Sequence, residues 1–248
     1  MCENQANFRD LSLNLSRELE ESGLFESSVR KRRNMFLYRE KMSTIYHRII
    51  GNSQTFYIFG SQSEGTTTMA LGSDTDILIV DTSFRVIQDT EEWKEDVTNL
   101  LMLQDDTAPG YCRLQLLRQD SPEPEKTPPT TMYCYDSRNR VVLINKDFEF
   151  RIRNIPSVRC GPSNVLIDLP NEDYVLAIKS QCRLRLAEKW ARRNRHSSWP
   201  SQDLIQKVVS AEFFVVPVGH KLSPSPHLEW RISTSLAERY LMFSLNIV

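Results

Sequence analysis

The sequence is poor in every feature that would hold a chain in a membrane or send it out of the cell. Its longest apolar runs, such as Phe213 to Val218, fall far short of the ~20 residues that span a bilayer. The opening Met1-Cys2-Glu3-Asn4-Gln5 lacks the basic flank and apolar centre of a secretory signal, so an intracellular, cytoplasmic location is expected. The five cysteines, Cys2, Cys112, Cys134, Cys160 and Cys182, are odd in number, widely spaced and contain no Cys-x-x-Cys pair. That argues against a disulfide framework and against a sequence-local zinc site. Nor do the four histidines fall in metal-ligand spacing with them. Charge of one sign is lacking too: 31 lysines and arginines face 32 acidic residues, so no net field draws the chain toward nucleic acid or anionic lipid. What remains is an ordinary globular composition, 40% hydrophobic and 25% charged over 248 residues, enough for one domain of generous size or two small ones.

Periodicity divides the chain into helices and strands without regular βαβ alternation, which points to an α+β fold. Leu11, Leu15 and Leu19 recur every fourth position ahead of Gly23 and mark an opening helix. Met35, Tyr38, Met42, Ile45 and Ile49 follow 3,4 spacing from a Ser27-Ser28 start until Gly51. A short buried strand is expected at Thr55 to Phe59, a loop at Gly60 to Ser73 and a second strand at Asp74 to Val80. Trp93, Val97, Leu100 and Leu101 carry helical spacing, and Tyr111 to Leu117 partly alternates as a half-buried strand would. The proline-rich stretch Ser121 to Thr131 is expected to be a loop. Val141 to Ile144, Asn164 to Leu169 and Asp173 to Ile178 are further strand candidates, the last two joined through Pro170-Asn171-Glu172. Arg183 to Arg195 and a segment capped by Ser201 are expected to be helical, Phe213 to Val218 a strand, and the stripe Leu236, Tyr240, Phe243, Ile247 a last helix in need of a packing partner.

One constellation carries chemistry. Gly60-Ser61 directly follows a strand, and Asp74-Thr75-Asp76 opens the next. Side chains alternate along a strand, so carboxylates at i and i+2 project from one face, where hard oxygen ligands suit divalent cations. Two such cations ~4 Å apart can polarise a triphosphate and stabilise departing pyrophosphate. Glycine in the preceding turn lets backbone N–H groups and the Ser61 hydroxyl approach phosphate oxygens. The run Ile77-Leu78-Ile79-Val80 places these carboxylates on a buried strand, where they are costly unless paired or bound to metal.

The stretch Gly60-Ser61-Gln62-Ser63-Glu64-Gly65 through Ser73-Asp74-Thr75-Asp76-Ile77-Leu78 resembles the signature of the Mab-twenty-one-like (male-abnormal) family, which includes the cyclic GMP-AMP synthase-like nucleotidyltransferases. Gly161-Pro162-Ser163 followed by Asp173-Tyr174-Val175-Leu176-Ala177-Ile178 resembles the strand pair bearing that family's third metal carboxylate. Trp199-Pro200, Val215 to Lys221 and Glu229 to Arg239 resemble the block that ends its catalytic lobe. The resemblance implies a nucleotidyltransferase (polymerase-beta-like) fold, a mixed twisted sheet flanked by helices with a long N-terminal spine helix. It also implies an N-terminal helical extension over 1–28 and a catalytic lobe over 29–248, without the family's second helical lobe. Asp74, Asp76 and Asp173 would bind Mg2+ or Mn2+ and be catalytic. Gly60, Ser61, Arg231, Ser235 and Glu238 would contact nucleotide. The implied function is the joining of nucleoside triphosphates such as ATP and GTP, into a cyclic dinucleotide, with release of pyrophosphate, in an innate-immune sensor of double-stranded RNA or another nucleic acid. The basic runs Arg30 to Arg33 and Arg183 to Arg195 would form its binding face. The alternative is a non-catalytic nucleotide-binding or protein-interaction scaffold of the same family, or a truncated inactive form.

Overall fold

The computed structural model describes residues 2–21, 25–65, 74–146, 148, 157–166, 169–195 and 198–245. Two helices open it, α1 (Cys2–Glu21) and α2 (Glu26–Ile49). Strand β1 (Gln54–Phe59), the four-residue helix α3 (Ser61–Glu64) and the long strand β2 (Thr75–Ile87) follow. Then come β3 (Thr98–Leu103), β4 (Tyr111–Leu116), β5 (Tyr133–Tyr135), β6 (Val141–Leu143), β7 (Ser157–Cys160), β8 (Ser163–Leu166) and the long β9 (Leu169–Arg183). The remainder is α4 (Arg185–Ala191), α5 (Gln202–Val209), β10 (Glu212–Val216), β11 (Trp230–Ser233) and α6 (Ser235–Ser244).

The strands close on themselves. The order β2-β3-β4-β11-β10-β9 returns to β2 through a parallel β2–β9 pairing, a six-stranded barrel. This overturns the expected mixed twisted sheet flanked by helices and with it the polymerase-beta-like fold. Closure leaves no free edge within the ring, because each of the six strands has a hydrogen-bonded neighbour on both sides. A six-stranded ring is narrow enough for side chains to fill. Val86, Leu100, Cys112, Leu114, Ile178, Phe213, Val215 and Trp230 all belong to the principal cluster, and all are at most 1% exposed. Trp230 also donates its ring N–H to the Leu143 carbonyl at 3.2 Å, so its one polar atom is satisfied inside.

The spine-helix expectation fails on burial. Helix α2 has 24 residues, yet only Val29, Arg32 and Glu40 are buried. It lies along the outer edge of β1 and supplies the partners that edge lacks. Thr44 Oγ1 accepts the Phe56 N–H at 3.0 Å. The Glu40 carboxylate accepts the Ile58 N–H and the Arg239 guanidinium from α6, at 2.9 Å to Oε2. The helices after α2 are short, of four to ten residues.

The segment read as a helix around Trp93 to Leu101 is strand β3 from Thr98 on, preceded by a single turn at Thr90–Glu92. Apolar residues at i, i+4, i+7 and i+8 also fit a strand packed in a barrel wall, where Asn99 and Leu100 are both buried. Strand β4 is buried on both faces, not one: Arg113 and Gln115 are only 4% and 6% exposed. The Pro170-Asn171-Glu172 connection lies inside β9, and the link between β8 and β9 falls at 167–168, outside the described residues. Helix α4 stops at Ala191 rather than running to Arg195. Gly23, most of the Gly60–Ser73 loop and Ile247 also lie outside the described residues.

Strand parity sorts the core into two layers. Ile77, Ile79, Tyr174, Leu176 and Ile178 join the principal cluster, whereas Leu78, Val80, Ala177, Phe59, Phe214 and Val216 face the other way, under Leu236 and Tyr240 of α6. The apolar stripe of α6 thus finds its partner on the outer face of β1, β2, β9 and β10.

Candidate active site

Strands β2 and β9 run past the barrel at their N-terminal ends. There β2 pairs with β1 over Asp76 to Asp81, and β9 pairs with β8 over Leu169 to Val175. In this extension Asp76 and Asp173 are register partners in the parallel ladder. Register partners project to the same face, and neighbouring strands lie about 4.8 Å apart, so sequence positions nearly a hundred residues distant become adjacent. Both aspartates share the parity of Leu78 and Ala177, hence the face covered by α6. Asp74 is exposed immediately before β2 and acts electrostatically on Asp76.

The turn after β1 lies against this pair. Gly60 has φ +91° and ψ 170°, and a Cβ there would stand 3.0 Å from the Asp76 carboxylate and 3.3 Å from the Asp74 carbonyl. Only glycine occupies that backbone region without strain. Ser61 then opens α3, which is pinned by Ser63 Oγ donating to the Gly60 carbonyl at 3.0 Å. Gly65 ends it in a left-handed conformation against Val29, where a Cβ would be 2.2 Å from a Val29 methyl.

The electrostatics are those of excess negative charge. The Asp76 carboxyl is pushed above the ordinary aspartate range by desolvation first, then by Asp173 and Asp74. Although its side chain opens to solvent on one side, the Gly60 turn and the flanking acids cover the other. Glu64, within the motif but not singled out by sequence reasoning, is also pushed up, by desolvation and then by Glu238 and Asp76. Its position four residues after Gly60 was the available signal. Glu238 therefore does approach the acidic group, from α6, with Thr234 Oγ1 donating to its Oε1 at 2.6 Å.

Ser235 is hydrogen-bonded to Ser233 across 2.7 Å at the start of α6. Arg231 stands apart. It pairs with Val216 on β10 and Tyr111 on β4, is exposed, and shares the Asp76 face. Two strands across and about four residues along the register separate it from Asp173, roughly 15 Å. That is the length of a nucleotide, not of a metal–ligand bond.

Arg33, read from sequence only as one of a basic run, positions two of these elements. Its guanidinium donates to the Glu64 carbonyl at 2.9 and 2.8 Å and to the Met242 and Phe243 carbonyls at 3.3 Å, so one side chain caps the C-termini of both α3 and α6. Other members of the two basic runs are engaged locally. Arg30 pairs with Glu26, Arg185 with Asp89, Arg192 with Glu188, and Arg195 stacks on Trp190. A separate apolar groove between α4, α5, α6 and β10, lined by Trp190, Val208 and Leu241, shares only Thr234 and Glu238 with the site.

Whether a divalent cation suits these residues turns on donor chemistry. Hard carboxylate oxygens of like charge, one of them held above its ordinary range by desolvation first and by its acidic neighbours second, are what Mg2+ or Mn2+ would relieve. Among the described residues no three acidic, histidine or cysteine side chains are yet close enough to enclose an ion. Asp76 and Asp173 form the pair, and Asp74 would have to swing in. Among the described residues no helix is long and apolar enough to cross a membrane. No protein-family model matches the chain, and no curated protein matches it in sequence.

Proposed function

We propose that the protein is a metal-dependent nucleotidyltransferase that joins nucleoside triphosphates and releases pyrophosphate, as its resemblance to the cyclic GMP-AMP synthase-like members of the Mab-twenty-one-like family implies. The observation that carries the reading is the register pairing of Asp76 with Asp173 on one face, with the Gly60-Ser61 turn in contact with Asp76. Asp74, Asp76 and Asp173 would hold Mg2+ or Mn2+, which when bound supplies charge neutralisation for the triphosphate and acidifies the attacking hydroxyl. The residues of this chain do the rest. The Gly60-Ser61 turn brings backbone N–H groups and a hydroxyl to the phosphates. Arg231, about a nucleotide's length away on the same face, would meet the base or sugar, and Ser235 and Glu238 would line the nucleotide from α6. Glu64 adds a fourth carboxylate beside Asp76 and makes cation dependence steeper.

The test is pyrophosphate release by the purified chain with ATP, GTP and either cation, with and without double-stranded RNA. Release that disappears in Asp76→Asn and Asp173→Asn supports the reading. Cation-dependent nucleotide binding with no release under any of these conditions would replace it with the non-catalytic scaffold.

A further inference from the structure

Helix α2 is held at a fixed distance from the sheet it covers, and a cavity is left beneath it. Thr44 Oγ1 accepts the Phe56 N–H and the Glu40 carboxylate accepts the Ile58 N–H, so the standoff of the helix from β1 is set by hydrogen bonds. One heptad apart on the inward side of α2, Phe36 packs against the principal cluster, whereas Ser43 offers only a hydroxymethyl group. The missing bulk leaves a cavity of about 220 Å³ between α2 and strands β1, β2 and β9. Its floor is Phe56, Ile58, Ile77 and Ile79, all at most 9% exposed. Its rim on the α2 side is Arg39, Ser43 and His47, spaced i, i+4, i+8 and therefore in one row along the helix.

The row is made of donors. The Arg39 guanidinium gives one nitrogen, Nη2, to Glu172 Oε1 at 2.7 Å and keeps the rest of its N–H fork. The Ser43 hydroxyl makes no hydrogen bond among the described residues. The Asn52 side-chain amide donates to His47 Nδ1 at 3.3 Å, which puts the ring proton on Nε2. Tyr174, the remaining lining residue, gives its hydroxyl proton to Glu172. Among the described residues no acidic side chain lines the cavity.

We propose that this cavity binds a medium-chain carboxylate, its alkyl tail on the apolar floor and its carboxylate at the mouth, accepting from Arg39 and Ser43. An apolar floor with a few convergent polar groups is the form of a small-molecule site, and a rim of donors that includes a guanidinium selects an anionic acceptor. Size sets the length. A cavity of about 150 Å³ encloses benzene, so one of this volume takes a tail of about seven to nine carbons. Ile77 and Tyr174 directly follow Asp76 and Asp173 and face the other way, into the principal cluster. The ligand therefore sits behind the acidic pair, on the opposite side of the same two strands, and its binding does not depend on the nucleotidyltransferase reading.

The experiment is calorimetric titration of the full chain with sodium octanoate, octylammonium chloride and 1-octanol, which share a tail and differ in head group. Octanoate should bind saturably at one site, at least ~10-fold more tightly than either comparator. Arg39→Gln removes the cation at the mouth and should weaken octanoate at least ~10-fold. Ser43→Leu fills the cavity with a good helix former and should abolish binding of all three. Arg39 is exposed and Ser43 half-buried, and far-ultraviolet circular dichroism with denaturant unfolding checks that each variant keeps its fold. No saturable binding of octanoate, equal binding of octylammonium, or an octanoate affinity unchanged in either variant would each overturn the proposal.

Discussion

At Asp76 three influences act in one direction: partial desolvation, the charge of Asp173 one strand away and that of Asp74 two residues back. Ionised Asp76 is therefore a source of instability in the cation-free protein. Asp76→Asn is expected to raise the melting temperature without cations, by roughly 1–3 °C for a chain of this size, and to abolish any rise on adding Mn2+. Thermal unfolding with and without Mn2+ measures both effects. An Asn variant that Mn2+ still stabilises would place the cation elsewhere. Gly60 gives a steric counterpart. Its φ of +91° with ψ 170° is closed to alanine, and the new methyl would press on the Asp76 carboxylate. Gly60→Ala should cost about 1–3 kcal/mol and lower turnover further than stability alone explains, since it displaces the carboxylate itself. Denaturant unfolding beside steady-state kinetics separates the two.

Among the elements, α2, β1 and α6 meet in one buried ion pair. Arg239 and Glu40 are 7% and 8% exposed, and between them they also satisfy the Ile58 N–H and carbonyl on the open edge of β1. Removing one partner strands the other, so Arg239→Leu should destabilise by about 3–5 kcal/mol, whereas the double change with Glu40→Leu should recover much of that loss. A double-mutant cycle by denaturant unfolding tests it. Glu40 also sets a pH dependence. Burial raises its carboxyl above the ordinary glutamate value in spite of Arg239, so the folded state holds a proton that the unfolded chain has released. Its contribution is fully present below the unfolded-state value and is lost as pH rises through the raised folded one. Glu40→Gln should flatten that fall in stability between mildly acid and neutral pH. Arg33, which ends α3 and α6 together, should behave as a positioning residue. Arg33→Ala should lower turnover with a modest change in nucleotide affinity, a split that initial rates against nucleotide concentration would show.

These elements also show what the sequence could and could not disclose. Helix α2, β1, β4, β6, the Ser201 cap with Leu204 N–H at 3.3 Å, β10 and α6 follow from local periodicity and capping, because their patterns arise within a few turns or strand repeats. Strand β3 was hidden because Leu100 and Leu101 suit a helix face as well as a barrel wall. The burial of Arg113 on β4 was hidden for a different reason. Its ion pair with Asp136 at 3.3 Å joins residues more than twenty positions apart, so no local pattern could announce it. The acidic pair was readable as separate residues through motif resemblance, but its adjacency was not, since it depends on which strands pair.

For the molecule as a whole, the parallel β2–β9 seam carries the most consequence. Ile79, Val80, Ala177 and Ile178 on it are all completely buried, and both strands belong to the ring. Native-state hydrogen exchange should find the slowest amides in β2 and β9, with β7, β8 and α1 opening at much lower free energy. Ile79→Ala should cost about 2–5 kcal/mol, read by denaturant unfolding, because the cavity it leaves lies among the buried side chains of the seam. A seam with exchange no slower than β7 would mean that the ring is not the stable unit.

That seam fixes when Asp76 and Asp173 meet. The two halves of the acidic pair come from strands separated by most of the barrel's own sequence, and the parallel contact joining them is the one that completes the ring. Contacts of such long sequence separation form late, once intervening segments have ordered. Pairing of Asp76 with Asp173 and arrival at the native state are therefore one event, and a nascent or partly folded chain does not bring the two carboxylates together.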